Sequence, residues 1–565
     1  MNKINWRVNL VLVLVFFFGA AILARLFFLQ IVHHQFYKAL AEGQQKILTP
    51  TIGERGEIFF RDGTPVAVNK KGEYLFICPK EIKEKEKTAK ILAEVLKLDF
   101  DWVLEKTQKA NLFEAIKHRL SEEEQTLLKE KNLPGVYLEE EIFRYYPQKN
   151  LTSHITGFLG GEGKGQYGLE GYYDEILKGK EMITEKEKES FGYFGLSGLR
   201  KKNKGRDIIL TIDPDIQFMA NNLLSKSQKK LDFKGGQILV LNPNSGAILA
   251  LAQIPNFDPN RYSKIENPEV FQNAVIQKIF EPGSIFKPIV MAAALNEGKI
   301  TPKTSYVDEG KVQVGGWTIY NYDRRTWGER TMTEVLEKSI NTGAVFVEQT
   351  IGHETFLEYI EKFGLFEKTG IDLQGEVFSE NQEFKKGYEI NFATASFGQG
   401  IEITPIQIAR AFAAIANGGK LIKPHIVEKI LEDGKEIKQE SDFEEKQVIS
   451  KKTASQLTAM LVSVVENGFG KAARVENYFI AGKTGTAQVS WPALGINKAG
   501  YSSETTQTFI GFFPAFDPQF LILVKLDNPK TRTAEYSAVP LFRELAKYII
   551  DYQQILPDHE ESIVY

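Results

Sequence analysis

The sequence predicts an α+β fold in which a five-stranded antiparallel sheet is flanked by helices, preceded by one membrane-spanning helix and an intermediate domain. Three observations predict it. Residues Leu10–Ile31 form an almost wholly apolar run, a long middle region alternates strand-like runs with charged helical patterns, and the region after Asp207 holds apolar strands and long helical patterns. With 565 residues, 43% hydrophobic and 25% charged, the chain can build two or more separately cored domains.

The apolar run comes first. At about 1.5 Å per residue it reaches about 33 Å, enough for a hydrocarbon core of about 30 Å. Lys3 and Arg7 precede it, so the positive-inside tendency keeps residues 1–9 as a cytoplasmic tail and exports everything after His33. Arg25 lies near the far end, where its side chain can snorkel to the headgroups. Gly19-Ala20-Ala21 resembles the cleavage site of a signal peptide, but the apolar run continues well past it, which favours an uncleaved anchor at the cytoplasmic membrane. The predicted organisation is a tail over 1–9, a transmembrane helix over 10–31, an intermediate domain over 45–205 and a C-terminal domain over 206–555.

Bulk properties exclude several functions. A net charge of -3 offers no concentrated basic excess, so no nucleic-acid partner is expected. The single cysteine, Cys78, rules out an internal disulfide framework, and the seven histidines include no HExxH pair, so neither metal nor cofactor is expected. Cys78 closes the apolar run Tyr74–Cys78 and reads as an inert buried thiol.

In the middle region, the mixed charge of Glu81–Leu98 reads as a solvated helix face. The glycine-rich stretch Phe158–Gly171 lacks phosphate-loop spacing and reads as a connecting loop; Gly198–Arg206 reads as a linker or hairpin. Beyond Asp207, Gln237–Leu241 and Ile248–Gln253 flank Asn242-Pro243-Asn244-Ser245-Gly246 and predict a hairpin. Tyr478–Ser490, Thr505–Phe513 and Phe520–Leu526 supply three more strands, and the short connections favour antiparallel pairing. Helical patterns cover Ser284–Asn296, Met332–Ile351, Thr404–Ala416, Lys452–Asn467 and Val539–Tyr552.

Three short motifs could carry chemistry. Ser284-Ile285-Phe286-Lys287 opens a helical pattern ahead of Pro288, and its spacing puts Ser284 and Lys287 on one face. A serine at a helix start sits beside free N–H groups that can stabilise negative charge, and the lysine could take its proton. That requires neutral amine, which at an ordinary pKa of about 10.4 is only about one lysine in a few thousand at pH 7. The site must therefore depress the pKa by burial or by a second cation. Alone, this motif reads better as a serine cap and a surface lysine. Ser339-Ile340-Asn341 lies late in the pattern from Met332, where helix termination by Asn and Gly explains it as well. Lys483-Thr484-Gly485-Thr486 lies within a strand, whose exposed edge could hold an extended peptide. A nucleotide phosphate loop fails there, because it needs glycine where Asn477 stands and a helix where a strand is predicted.

Together, in the order SxxK, SxN, KTG, the motifs form the set of penicillin-binding proteins and serine β-lactamases. Over nearly its whole length the chain resembles the class B, monofunctional penicillin-binding proteins. Arg55-Gly56-Glu57-Ile58 with Arg61-Asp62-Gly63 resembles that family's element at the start of the pedestal, with Phe60 where an aspartate is usual, which removes one expected salt bridge. Arg144-Tyr145-Tyr146-Pro147, His154, Gly157, Gly168-Leu169-Glu170, Thr211-Ile212-Asp213, Gln217, Gly398-Gln399-Gly400, Thr404-Pro405, Gln407 and Thr508–Gly511 are also family-like.

The resemblance implies a pedestal at 45–205, a transpeptidase domain at 206–555 and peptidoglycan cross-linking. Ser284 would attack the carbonyl before the terminal D-alanine of a stem peptide and pass the acyl group to a neighbouring amine, with β-lactam antibiotics acylating the same serine. Lys287 would act as base, Ser339 as proton relay and Asn341 as the group orienting Lys287 and the substrate amide. Lys483 would lower the Lys287 pKa, Thr484 and Thr486 would bind the carboxylate beside Gly485, and the N–H groups of Ser284 and Thr486 would form the oxyanion hole. A D,D-carboxypeptidase or β-lactamase shares the motifs but not the pedestal, a bifunctional enzyme would need a glycosyltransferase domain before it, and a non-catalytic β-lactam-binding scaffold or sensor would not need the intact set. The implied partner is a polytopic glycosyltransferase of the shape, elongation, division and sporulation family. The length resembles the division type, penicillin-binding protein 3-like, more than the elongation type, penicillin-binding protein 2-like.

Overall fold

The computed structural model describes residues 5–32, 46–187, 203–437, 443 and 445–558, so Lys3, His33 and residues 198–202 of the expected linker lie outside the described residues. The chain divides into two units, Met1–Arg55 with Lys178–Gly205, and Gly56–Leu177 with Arg206–Tyr565.

In the first unit, Asn5–Phe27 is one helix, and Leu10–Phe27 is long and apolar enough to cross a membrane. None of Leu10–Phe27 is buried, and Phe16, Phe17 and Phe18 are at least 70% exposed, as expected for a surface turned to lipid. The strands Lys46–Ile52 and Glu181–Glu187 pair antiparallel in this same unit.

The second unit begins with the pedestal head. The strand Pro65–Ile77 pairs with Val136–Tyr145 over ten residues, and Glu114–Lys117 extends the sheet on its other side. Helices Lys85–Leu96 and Phe100–Gln108 close a small core of Leu75, Ile77, Leu92, Leu96, Val103 and Ile116. Cys78 is buried, as its apolar run predicted. Phe158–Gly171 is more ordered than a connecting loop: Phe158–Leu159 pairs with Gly165–Gln166, and a short helix starts at Gly168. The cause is packing, since the Phe158 ring stacks on Tyr262 at 4.3 Å and is buried with Phe257 and Phe271.

One short pairing joins the head to the rest of the unit. Ile58–Phe59 runs parallel to Asp207–Leu210, which pairs antiparallel with Val427–Glu432. Glu57 N–H donates to Asp207 Oδ1 at 2.6 Å, and Phe60 packs into the core at 1% exposure.

The C-terminal part contains the predicted sheet. We label its strands β1 (Gly235–Leu241), β2 (Ile248–Ile254), β3 (Ala481–Ser490), β4 (Tyr501–Phe513) and β5 (Phe520–Asp527); their order is β2-β1-β5-β4-β3, all antiparallel. β3 is an edge strand. Besides the helix Pro214–Leu231, the helices of this part include α1 (Lys287–Asn296), α2 (Met332–Glu337), α3 (Asn341–Ile351), α4 (Pro405–Ala416), α5 (Lys451–Asn467) and α6 (Ala538–Gln553). α6 docks on the sheet, where Phe542 meets Phe509 edge to face at 4.6 Å.

Three helical expectations change. The single helix expected over Met332–Ile351 is two, because Ser339 takes a positive φ of 53° and the N–H groups of Ser339 and Ile340 turn back onto the carbonyls of Leu336 and Val335. Gly343, expected to help end a helix, lies inside α3, where a Cβ would meet Val335 Cγ2 at 2.7 Å; its absence lets α3 press on α2. The Ser284 turn, Gly283–Phe286, is a 3-10 turn that leads into α1.

Candidate active site

Three segments deliver the motifs to one cleft of about 670 Å³, lined by Ser284, Ser339, Asn341, Thr484 and Thr486 among others. The Ser284 turn is placed by glycines. Gly283 has φ 60°, its N–H donates to the Gly398 carbonyl at 2.9 Å, and a Cβ on Gly398 would lie 2.1 Å from the Gly283 oxygen. Gly485 plays the same part on β3: a Cβ there would meet Thr508 Oγ1 at 2.3 Å, Ile285 Cγ2 at 3.1 Å and the Pro282 oxygen at 3.2 Å. Only a glycine lets the strand edge lie this close to the serine turn.

Beneath the half-buried Ser284 two lysines are fully buried, Lys287 and Lys483. Lys287 Nζ donates to the Ser339 carbonyl at 2.5 Å, to Ser339 Oγ at 3.2 Å and to Asn341 Oδ1 at 2.9 Å. Lys483 Nζ donates to Ser339 Oγ at 2.9 Å and to the Thr484 carbonyl at 3.1 Å. One hydroxyl therefore bridges both amines. No carboxylate lies within ion-pair distance of either lysine among the described residues, so no opposite charge offsets the cost of a buried ammonium. Burial, and then the neighbouring Lys483, holds the Lys287 amine well below the ordinary lysine value. Burial pushes Lys483 down to about 7.

The SxN turn sits on its own platform. Asn341 Nδ2 donates to the Tyr320 carbonyl at 3.1 Å, which fixes the amide so that Oδ1 faces Lys287. Thr342 N–H donates to Asn321 Oδ1 at 3.1 Å, and Thr342 Oγ1 donates to Asp308 Oδ1 at 2.6 Å. Thr486 Oγ1 accepts from Ala534 N–H at 3.2 Å, tying β3 to the segment before α6.

All eight residues singled out in the sequence lie here: Ser284, Lys287, Ser339, Asn341, Lys483, Thr484 and Thr486 about the cleft and its floor, and Gly485 where β3 meets the serine turn. One expected contact is absent. Ser284 Oγ makes no hydrogen bond to Lys287, whose three donor directions go to Ser339 and Asn341. A 3-10 turn still eclipses positions i and i+3, so the two side chains stay on one face. Sequence reasoning missed the cleft residues Tyr320–Arg325 and Arg532–Tyr536. Most are polar or aromatic residues without a motif, with Tyr320 closing the strand Trp317–Tyr320 and the others in short turns, and the only signal was the aromatic-rich run Trp317–Tyr322.

A serine beside buried, carboxylate-free lysines on the free edge of an antiparallel sheet defines an active-site serine acyltransferase of the penicillin-binding type. Comparison with known proteins specifies it further. Residues 236–547 match the family "Penicillin binding protein transpeptidase domain" and residues 50–210 match "Penicillin-binding Protein dimerisation domain". The chain belongs to the class B penicillin-binding proteins, the peptidoglycan D,D-transpeptidase family. It is 35% identical to Stage V sporulation protein D of Bacillus subtilis, over 94% of this chain and 83% of that one. It is 30% identical to a peptidoglycan D,D-transpeptidase FtsI homolog of Mesostigma viride, over 98% and 96% of the two chains. The crystal structure of penicillin binding protein 3 from Mycobacterium tuberculosis complexed with aztreonam superposes with a TM-score of 0.69 at 25% identity, covering 90% of this chain and 98% of that one.

Proposed function

We propose that the protein is a membrane-anchored D,D-transpeptidase that cross-links peptidoglycan stem peptides through an acyl-Ser284 intermediate. The observation that carries this reading is the convergence of Lys287 and Lys483 on Ser339 Oγ, buried and without a carboxylate, under the exposed side of Ser284. Neutral Lys287 takes the Ser284 proton as Oγ adds to the carbonyl before the terminal D-alanine. The N–H groups of Ser284 and Thr486 hold the oxyanion, a contribution of about 3 to 4 kcal/mol per donor. Ser339 passes a proton to the departing amine, the C–N bond breaks and D-alanine leaves; Thr484 and Thr486 hold its carboxylate. An acceptor amine then attacks the ester, forms the cross-link and returns Ser284. Water in place of the amine gives D,D-carboxypeptidase side activity. A β-lactam acylates Ser284 by the same first step and stays bound.

The apolar helix anchors the chain in the cytoplasmic membrane with its catalytic domain outside, beside a polytopic glycosyltransferase of the shape, elongation, division and sporulation family. The division type is supported by the likeness to penicillin binding protein 3, and the relative named for stage V sporulation supports a sporulation role as a second reading. Depletion separates these roles: filaments indicate division, rounded cells elongation, and a defect confined to spores the second reading.

The chemical test is labelling of the full-length protein in detergent with a fluorescent penicillin, beside Ser284→Ala, followed by intact mass. The expected result is a stable adduct that the variant lacks. Folded wild-type protein without an adduct would replace this reading by a non-catalytic scaffold, and an adduct lost within seconds would replace it by a β-lactamase.

A further inference from the structure

The wall of the cleft next to Asn341 carries a cation that the reaction above does not use. Asn341 Nδ2 holds the Tyr320 carbonyl, so the loop Asn321–Arg325 starts on the SxN side. Four cations line the cleft, Arg324, Arg325, Lys338 and Arg532, against two carboxylates, Asp323 and Glu535, although the whole chain is net negative. Asp323 is already engaged, by Arg532 at 2.5 Å and by Arg325 at 3.7 Å. Lys338 Nζ donates to the Asn467 carbonyl at 3.4 Å. Arg324 differs from these three. Its guanidinium lies over the Tyr320 ring, 4.9 Å from the centroid, and among the described residues it has neither a carboxylate nor a carbonyl partner. Stacking on the ring limits how the guanidinium plane can turn while leaving its N–H edge free, a preorganised fork for a planar anion.

The geometry points to Arg324 as a specificity-determining residue that binds a second carboxylate of the donor, carried on the acyl side of the bond that Ser284 attacks. The inference rests on the acyl-Ser284 reading. There the terminal carboxylate goes to Thr484 and Thr486 on β3, and Asn341 orients the amide on the acyl side. Tyr320 is bonded to that same asparagine and Arg324 stacks on Tyr320, so an anion reaching Arg324 belongs to the part of the donor that remains on the enzyme. The Asp323–Arg532 pair ties this loop to the segment after β5 and holds Arg324 at the cleft.

Benzylpenicillin and carbenicillin differ by one carboxylate on the acyl side chain, which makes them a matched pair of probes. Full-length protein in detergent is acylated with each, and the ratio of second-order rate constants, carbenicillin over benzylpenicillin, is compared among wild type, Arg324→Ala and Arg324→Lys. The ratio falls about tenfold in Arg324→Ala, the loss of one charge-assisted hydrogen-bonded pair. Arg324→Lys recovers part of it, because charge returns without the fork. An unchanged ratio in Arg324→Ala overturns the subsite while leaving the acyl-enzyme intact. Wild-type protein acylated by neither compound overturns the acyl-enzyme reading and this inference with it.

Discussion

Arg144 in the pedestal and the lysine pair in the cleft are all buried cations, satisfied in opposite ways. Arg144 Nε meets Glu170 Oε1 at 2.7 Å with both side chains almost wholly buried, and Tyr146 Oη donates to the same carboxylate oxygen at 3.2 Å. Opposite charges cancel there, and the result is a fixed joint. Among the described residues Lys287 and Lys483 meet two hydroxyls, an amide oxygen and two carbonyls, and no carboxylate. Such neutral acceptors do not offset the cost of burying an ammonium, so the amine sheds its proton more readily. The same burial that builds a joint with a carboxylate holds an amine below its ordinary pKa without one.

The widest separation between the two regions should come from Lys287. Lys287→Met is expected to slow acylation by a fluorescent penicillin by about a hundred- to ten-thousand-fold, the range for a lost general base. Thermal unfolding should not drop, since the variant removes a buried amine that lacks a counter-ion. A variant that acylates at the wild-type rate would deny Lys287 the base role, and a large loss of stability would show it holding the floor together.

Glu170→Ala tests the other side. It leaves Arg144 charged, buried and without its carboxylate, which costs about 3 to 5 kcal/mol of stability. The double variant Arg144→Met, Glu170→Leu should recover much of that loss, because it removes both charges together. Unfolding in denaturant checks both. A mild effect of Glu170→Ala alone would mean that water reaches the pair and that the two regions differ less than their burial indicates.

The sequence made much of this contrast legible, and the rest has physical reasons for being hidden. The sheet strands stood out because their apolar runs are bounded by turn chemistry such as Asn242–Gly246 and Pro514–Pro518. The demand for a lowered lysine pKa followed from the proton balance of an SxxK serine. The break at Ser339 was hidden, because Val335, Leu336, Ile340, Ala344 and Val347 keep a helical spacing across it and are buried on both sides. A positive φ at one serine leaves no mark on periodicity. The Tyr320 and Asp308 platform was hidden too, since its side-chain contacts to the SxN segment join residues far apart in sequence. Glu170 was visible only through family likeness; nothing in Gly168-Leu169-Glu170 by itself says that the carboxylate meets Arg144.

The smallest expected effect is also the most direct reading of the lysine environment. Burial lowers Lys483 from the ordinary 10.5 to about 7, so between those values the unfolded chain keeps a proton that the folded chain has released. Where the unfolded state binds more protons, stability rises with pH, so the Lys483 contribution should rise from about pH 7 and level off by about 10.5. Glu281, which burial pushes up to about 7, acts in the opposite sense but below that window, its contribution being present under about 4.5 and lost as pH rises through 7. Comparing wild type with Lys483→Met between pH 7 and pH 9 therefore reads Lys483 together with its smaller effect on Lys287, free of Glu281. The wild type should gain about 2 kcal/mol more than the variant over that interval, at about 1.36 kcal/mol per pH unit once the folded-state amine has released its proton. Parallel curves would mean that Lys483 ionises as it does in water, and the cleft would then lack the environment that the proposed base role of Lys287 requires.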